Sequence, residues 1–532
     1  MTLTSVSGTA YWPIDDSYPF VEAAIGDVLR ERAASGPDRP AVYYDDHGRL
    51  ATLTYAELLH DATRLAHRLL AMAQPGARIA TWTPNSADWV VLHYASVLAG
   101  MIVVPLNPVF TDRELRDIVE RSDASVLFTV GSFRGSNLIE RARACLSDRQ
   151  AFTVEDLSRW RDLPAAESAL PVVDPSAPYL IQFTSGTTGK PKGAVLSHRA
   201  AYNNAHLRAL LLQPGDHEVW CSPTGFYHVA GSVSRVLGAL SANGAVVVIA
   251  EPKARVLLDM MERTRTTHAG LIGKLALDAL EDETLADRDL SSLTSLALGG
   301  TAAAPHLFEQ LQARFGVAIV NGYGQSESPH ITGTRVDDSL EDRLTTIGRP
   351  LPHREVCIRR IGTREIAAVG ETGEICTRGP LVMDGYFRDP VGTAATIDSD
   401  GWLNTGDLGS MDERGVLTFR GRTREVIIRG GENVYPQEIE HVLDQAPGVA
   451  EAVVVGTVHP LLGEEVTAVV RAEPGTELDA EALSSFVAAH LAGFKVPKRW
   501  AFVSDLPRTA SGKIQKNKVK EQVSASFEGS VQ

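Results

Sequence analysis

One loop in this sequence is built to hold a polyanion. Residues 184–193 read Thr184-Ser185-Gly186-Thr187-Thr188-Gly189-Lys190-Pro191-Lys192-Gly193. Three glycines let the backbone curl so that successive N–H groups can point at one anion. Four hydroxyls and two ammonium groups add donors and charge, a composition suited to a triphosphate. The loop is not a Walker A motif. Only two residues separate Gly186 from Gly189, and Pro191 follows Lys190 where Ser or Thr is needed. The chain has ten lysines against forty-one arginines, and none precedes Lys190, so a lysine pair here stands out.

The elements around the loop alternate between helix-like and strand-like, which argues for α/β architecture. Residues 179–183 read as the strand that delivers the loop. Residues 54–72 open with Thr54 and Glu57 in a capping-box pattern, then place Leu58, Leu59, Ala62, Leu65 and Leu69 at helical spacing. Residues 78–83, 244–250, 293–298 and 317–320 read as strands, and Pro305 suits the first turn of a helix. The long apolar run 89–106 contains His93, Ser96, Gly100 and Pro105. It reads as a buried helix, a Gly cap and a short strand over 102–104, not as a membrane span.

With 532 residues, the chain is expected to form more than one folding unit. The net charge of −15 disfavours non-specific binding to nucleic acid or to an anionic membrane. Cys145, Cys221, Cys357 and Cys376 are far apart in sequence, so neither a disulfide framework nor a structural zinc site is expected. Residues 1–16 have no basic n-region and no apolar h-region, so no signal peptide is expected. The expected compartment is cytoplasmic and reducing. The C-terminal part changes character after a polar stretch at 420–425. A helix from Pro436 to about Gln445, strands at 451–455 and 465–470, a helix near 480–493 and a strand at 500–503 make an α+β unit. The tail after Lys520 is expected to fray.

The loop resembles the phosphate loop of the adenylate-forming superfamily, which includes acyl-CoA synthetases, luciferases and the adenylation domains of peptide synthetases. Further segments match in order along nearly the whole chain. Tyr227-His228 resembles the family's aromatic-His segment, and Gly299-Gly300-Thr301-Ala302 its adenine-side loop. Gly322-Tyr323-Gly324-Gln325-Ser326-Glu327 resembles YGxTE with Ser for Thr, and residues 401–407, GWLNTGD, match GWxxTGD. Gly421-Arg422 begins the hinge. Gly430-Gly431-Glu432-Asn433 resembles the CoA-side loop, and residues 507–513, PRTASGK, the C-terminal lysine loop.

The resemblance implies a large N-terminal domain over 1–420, made of sheets flanked by helices plus a small β-barrel. A hinge at 421–425 and a mobile α+β domain over 426–532 follow. It implies ATP, Mg²⁺ and coenzyme A as cosubstrates and cofactor. The chemistry explains the parts: transfer of a carboxylate to the α-phosphate turns a poor leaving oxygen into part of AMP, and the barrier is mostly charge. Positioning and cations are therefore the main protein contributions. Lys513 would reach the carboxylate and α-phosphate, and Glu327 would hold Mg²⁺; both are expected to be catalytic, with Thr184. ATP binding is expected at Thr184, Ser185, Gly186, Thr187, Thr188, Gly189 and Lys190. It extends to Gly300, Thr301, Ala302, Asn321, Gly322, Tyr323, Gly324, Gln325 and Ser326, then Asp407, Phe419, Arg422 and Lys513. Tyr323 offers a flat face to adenine, Asp407 acceptors to the ribose hydroxyls, and Arg422 a forked contact. The acyl side is expected at His228, Val229, Gly231, Gly273, Gly299, Gly300 and Gly324. His228 can equally be a satisfied core residue, and no general base is assigned, because the carboxylate nucleophile is already ionised at neutral pH.

Two departures from the family pattern matter. The hinge position two after the Arg is usually Asp or Lys, whereas this chain has Arg424. That is either drift in an Arg-favouring chain or a biased domain equilibrium. The aromatic segment carries no carboxylate to pair an α-amine, so an amino acid is not the expected substrate. Gly273-Lys274 replaces the family's common Val-Pro. With small residues at Gly225, Gly231, Ser232, Gly299 and Gly300, it suggests a bulky, mainly apolar acid: fatty, alicyclic or aryl. The expected activity is acyl-AMP formation with release of pyrophosphate, then thioesterification to acyl-CoA. Rival readings are delivery of acyl-AMP to a carrier protein or partner enzyme, a luciferase-like oxygenase, and a non-catalytic adenylate-binding regulator. Partners implied are the acid, ATP and CoA, with no nucleic acid and no membrane span; a homodimer and a carrier protein stay open.

Overall fold

The computed structural model describes residues 8–149, 152–184, 191–299, 305–429, 432–459, 461–508 and 514–528. Two seven-stranded sheets dominate the N-terminal part. In the first, strands Thr153–Asp156, Val126–Thr129, Arg78–Trp82, Ile102–Leu106 and Pro178–Thr184 lie parallel. Lys192–Ser197 then runs antiparallel to Pro178–Thr184, and Gly385–Tyr386 forms the edge. In the second, Ala318–Val320, Ser295–Gly299, His268–Ile272, Val219–Cys221, Ala245–Val247 and Pro40–Asp46 are parallel, with Arg49–Thr54 folded back at the edge. Parallel strands need crossovers, and the intervening helices supply them. Helix Ala87–Leu98 is buried from Trp89 to Leu98, which is why its sequence reads as continuously apolar.

Local signals decide where these elements start and stop. Thr54 caps helix Tyr55–Met72, and Glu57 returns a hydrogen bond to the Thr54 backbone, completing the capping box. After helix Ala87–Leu98, Gly100 takes φ +65, Met101 N–H bonds to Ser96 O, and strand Ile102–Leu106 begins. Pro305 opens helix Pro305–Phe315 as expected.

A third sheet is antiparallel, in the order Tyr11–Trp12, Glu355–Arg359, Gly373–Arg378, Leu403–Met411, Leu417–Arg422. The expected small β-barrel is not formed: no sheet among the described residues closes. Closure needs the two edge strands to pair; here one edge is the two-residue Tyr11–Trp12, which pairs with Glu355–Arg359, and the other, Leu417–Arg422, pairs with Leu403–Met411 and touches Gly348 through an isolated bridge, not Tyr11–Trp12. This sheet brings Cys357 opposite Cys376, both buried and both free thiols.

The smaller C-terminal part has its own core of Ile427, Val434, Ile439, Leu443, Val454, Val466 and Val470. Strands Glu432–Val434, Ile427–Arg429, Gly463–Ala472 and Val449–His459 are antiparallel neighbours, and Arg499–Val503 joins Gly463–Ala472 in parallel. Helices Pro436–Leu443 and Ala480–His490 stand where sequence periodicity puts them. Two expectations need correction. Strand Leu417–Arg422 enters the polar stretch 420–425 as far as Arg422, which stands opposite Asp407 in the ladder. The C-terminal helix Lys516–Glu528 does not stop at Lys520; Val519 and Val523 bury its inner face. No helix among the described residues is long and apolar enough to cross a membrane.

Candidate functional site

Tyr323 lies on strand Gly322–Gln325, whose pairing with Ser328–Gly333 is irregular between Tyr323 and Gln325. That irregularity re-aims the turn carrying Ser326 and Glu327. Gly322 and Gly324 expose their backbone, so a flat ring can approach it. Tyr323 O–H donates to Asp407 Oδ2 at 2.8 Å, and Arg422 Nε lies 3.3 Å from Asp407 Oδ1. The Phe419 ring centroid is 6.1 Å from that of Tyr323. Burial pushes the Asp407 carboxyl up from the usual carboxylate range, against the opposing pull of Arg422 and the Tyr323 hydroxyl. Tyr323 is pushed well up, by burial and then by the Asp407 charge. Its phenol therefore stays a donor, and Asp407 keeps lone pairs for two further donors.

Glu327 is 7% exposed. Its Oε1 accepts from Tyr386 O–H at 2.7 Å, and its carbonyl accepts from Met383 N–H at 2.8 Å. Lys192 Nζ stands 4.8 Å from the centroid of the Tyr386 ring. Lys192 also pairs with Thr184 across the hairpin that brackets the phosphate loop. An unbroken series of contacts thus runs from the loop's two ends through Lys192 and Tyr386 to a buried carboxylate. If the loop holds phosphate as expected, a single buried carboxylate here fits Mg²⁺, which is commonly held by one or two carboxylates plus substrate phosphates. No cluster of three or more His, Cys, Asp or Glu among the described residues forms an all-protein metal cage.

On the acyl side, His228 N–H bonds to Gly225 O, and the short helix Val229–Gly231 starts directly after it. The Tyr227 and His228 rings lie 4.7 Å apart, and Gln182 Nε2 donates to Tyr227 O at 3.1 Å. Gly299 ends its strand opposite Ile272, next to Gly273. Two of the small residues do not create free volume. A Cβ on Gly225 would stand 2.2 Å from the Tyr227 ring, and one on Gly231 2.3 Å from Gly225 O, so the protein's own atoms fill those places.

Other expected residues take different positions. Asn321 Nδ2 donates to Arg343 O and Thr346 O, so this side chain braces the strand's flank. Gln325 Nε2 is buried without a partner among the described residues. Arg424 is exposed in the single turn Thr423–Glu425, and Glu432 and Asn433 are exposed on Glu432–Val434. Lys516 reaches Glu425 at 3.3 Å and Glu440 at 2.8 Å. Ser185, Gly186, Thr187, Thr188, Gly189, Lys190, Gly300, Thr301, Ala302, Gly430, Gly431 and Lys513 lie outside the described residues. The lysine loop's flanks, Arg508 and Ile514, pair as a β-bridge. Sequence reasoning missed Tyr386: its partner is 59 residues away, and nothing in local spacing links them.

The comparisons with known proteins agree with this geometry. The AMP-binding enzyme family matches residues 29–387, and the AMP-binding enzyme C-terminal domain matches residues 438–513. The human medium-chain acyl-CoA ligase ACSF2, mitochondrial, is 31% identical over 565 residues, covering 98% of this chain and 91% of that protein. ATP-bound MatB from Rhodopseudomonas palustris superposes with a TM-score of 0.85 at 29% identity, over 94% of this chain and 99% of that one. The amide bond synthetase McbA from Marinactinospora thermotolerans gives a TM-score of 0.82 at 30% identity, over 93% and 99%. With the family match spanning most of its length and both parts of the architecture in place, this chain belongs to the AMP-binding enzymes, the adenylate-forming superfamily.

Proposed function

We propose that this protein is an acid–CoA ligase that forms acyl-AMP from ATP and a bulky, mainly apolar carboxylic acid and then transfers the acyl group to coenzyme A. The observation that carries the reading is the series of contacts Thr184–Lys192–Tyr386–Glu327 beside the Tyr323–Asp407–Arg422 group. It supports reading the loop as the phosphate site, Glu327 as the metal-binding carboxylate and Asp407 as the ribose-binding one.

In this reading Thr184 to Lys190 hold the phosphates, Gly300 to Ala302 and Asn321 to Ser326 flank adenine, and Asp407 with Arg422 takes the ribose. Glu327 holds Mg²⁺, which neutralises phosphate charge when bound. The carboxylate attacks the α-phosphate in line, and pyrophosphate leaves. Lys513 lies beside both anions and offsets their repulsion, an effect of about 3–4 kcal/mol for a well-placed donor at developing charge. His228, Val229, Gly231, Gly273 and Gly299 border the acid. Residues 1–420 then form the adenylating domain, 421–425 the hinge and 426–532 the moving domain. Rotation brings Gly430, Gly431, Glu432 and Asn433 to the acyl-AMP and withdraws Lys513. Arg424 sits at the pivot, exposed and free to change partners with the domain's orientation. A cytoplasmic location belongs to the same reading, supported by four free thiols.

The human relative is named a CoA ligase, which supports CoA as acceptor. McbA is named an amide bond synthetase, so the fold alone does not fix the acceptor. The test is pyrophosphate release against a broad acid panel, with and without CoA, with mass detection of acyl-AMP and acyl-CoA. Acyl-CoA accumulating for one class of acid is the expected result. Acyl-AMP that builds up unchanged by CoA overturns the second half of the proposal, and acetate or benzoate outperforming every larger acid overturns the substrate class.

A further inference from the structure

Near Gly231 and Gly273 lies Arg235, a cation without a matching anion among the described residues. Arg235 sits in the wide-turned helical segment Ser232–Leu237, four residues past Gly231. Its Nε is buried with no hydrogen-bond partner, and the guanidinium makes no hydrogen bond or ion pair among the described residues. The fork lies against the middle of strand His268–Ile272. A Cβ built on Gly270 would be 2.6 Å from Arg235 Nη2 and 2.8 Å from Ser222 Oγ, so only a glycine leaves room for the fork here. The Trp220 ring is 5.9 Å from the guanidinium carbon.

The neighbours of Arg235 do not neutralise it. Arg208 is buried and gives its Nη atoms to Thr334 O and Asn321 O, at 2.8 and 3.0 Å. Arg354 is fully buried and donates to Ser328 Oγ at 2.9 Å and Asn204 Oδ1 at 3.0 Å. His330 Nε2 is buried without a partner. Burial, then the charges of Arg208, Arg235 and Arg354, hold that imidazole well below its usual pKa, so it adds no charge but can serve hydrogen bonding. Burial pushes Arg235 itself down to about 10, so it is still cationic at neutral pH; of its neighbours, only the Cys221 thiol opposes that push. Asp338, the carboxylate that acts on Arg208, is tied to Arg349 at 3.0 Å.

Arg235 is half-buried, and a guanidinium whose Nε is cut off from water with no partner among the described residues is costly, so proteins pair such groups. Here the natural partner is the ligand. Gly270 lies two residues before the end of strand His268–Ile272, and Gly273 opens the helix that follows, so the stretch of backbone that Arg235 lies against is about 7 Å below the strand's end at ~3.3 Å per residue. We infer that Arg235 forms the far end of the acyl pocket and pairs with a second carboxylate on the substrate, an acid whose apolar body carries an anion at each end. The planar fork suits a carboxylate through two parallel N–H···O bonds. This inference rests on the ligase reading above and narrows its substrate class.

The experiment uses the full-length native protein with ATP, Mg²⁺ and CoA. Straight-chain dicarboxylic acids from adipic to dodecanedioic are each compared with the monocarboxylic acid of equal length, with the monomethyl ester and with a keto acid of equal length, by pyrophosphate release. At the best length the dicarboxylic acid is expected to lead its monocarboxylic counterpart by at least about 10²-fold in kcat/KM, because the monocarboxylic ligand leaves the Arg235 fork desolvated and unpaired. Arg235→Met is expected to reverse that preference while still binding ATP. A monocarboxylic acid that equals or beats its dicarboxylic partner at every length overturns the inference, as does a keto acid that beats the dicarboxylic acid. If Arg235→Met does not fold, the native comparison decides alone. If no acid releases pyrophosphate, the ligase reading fails instead. Calorimetric affinity of the native protein for the same pairs then decides the inference, and equal affinity overturns it.

Discussion

Removing one hydroxyl tests whether Glu327 is a metal-holding carboxylate aimed by its neighbour. Tyr386 O–H donates to Glu327 Oε1 at 2.7 Å, at a site where Glu327 is 7% exposed. Burial first, and the Glu327 charge second, push the phenol far up, so it is protonated at any assay pH. A hydrogen bond to a charged group contributes about 1.5–3 kcal/mol. At 1.4 kcal/mol per tenfold, Tyr386→Phe is expected to lower kcat/KM for ATP by roughly 10- to 150-fold and to raise the Mg²⁺ concentration needed for half-maximal rate. Phe keeps the ring under Lys192, so that contact survives the change. Glu327→Gln is expected to cost about 10²–10³-fold. The double variant should be no slower than Glu327→Gln alone, because the hydroxyl then has no anion to aim. The assay is pyrophosphate release across a Mg²⁺ titration for all four proteins. A Tyr386→Phe protein with native kinetics, or an effect that adds in full on top of Glu327→Gln, refutes the reasoning.

Lys513→Ala should lower the adenylation rate by about 10²–10³-fold while ATP binding, read by calorimetry, stays near native; an equal loss of binding would make the lysine a binding group instead. Asp407→Asn keeps the side chain's shape but takes the anion from Arg422 and Tyr323, so KM for ATP should rise by about 10- to 100-fold, checked by initial rates at saturating acid. Asp444 caps helix Pro436–Leu443 at its C-terminal, negative end, and burial with Glu440 and Glu451 pushes its carboxyl up to about 7. The folded state therefore holds a proton that the unfolded chain has released between about pH 4 and 7, and stability falls as pH rises through that window. Asp444→Asn should melt higher than native at pH 8, and the gap should close below pH 4; a constant gap across that range contradicts the assignment.

What the sequence makes legible follows from where information is local. Thr54 and Glu57 mark a helix start because both halves of the capping box lie within one turn. The phosphate loop is legible because its glycines, hydroxyls and lysines are consecutive. The barrel was expected by resemblance, and the pairing of edge strands that it needs is a non-local fact that Tyr11–Trp12 does not supply. Strand Leu417–Arg422 outruns its polar composition because Arg422 is held by Asp407, fifteen positions back in the chain. Small residues near the acyl mouth looked like free volume. At Gly225 and Gly231 they are instead the condition for a tight backbone packing.

The same contrast separates the residues that do chemistry from those that aim them. Several candidate ligand-facing groups sit where strands end or their pairing becomes irregular, as at Thr184 and in the Tyr323–Glu327 turn, and there composition no longer follows packing periodicity. That break is what makes motifs readable. A positioning residue such as Tyr386 stays inside regular structure and keeps an ordinary strand pattern, so only its contact with Glu327 gives it away. Arg235 is intermediate. It stands among the buried apolar residues Val233, Val236 and Leu237 of the segment Ser232–Leu237, which also carries Ser232 and Ser234. Natural sequences break local rules mainly where function requires it. An arginine beside buried Val and Leu is thus a signal readable from sequence, and the lack of a counter-ion for it among the described residues is what supports an anionic group on the ligand.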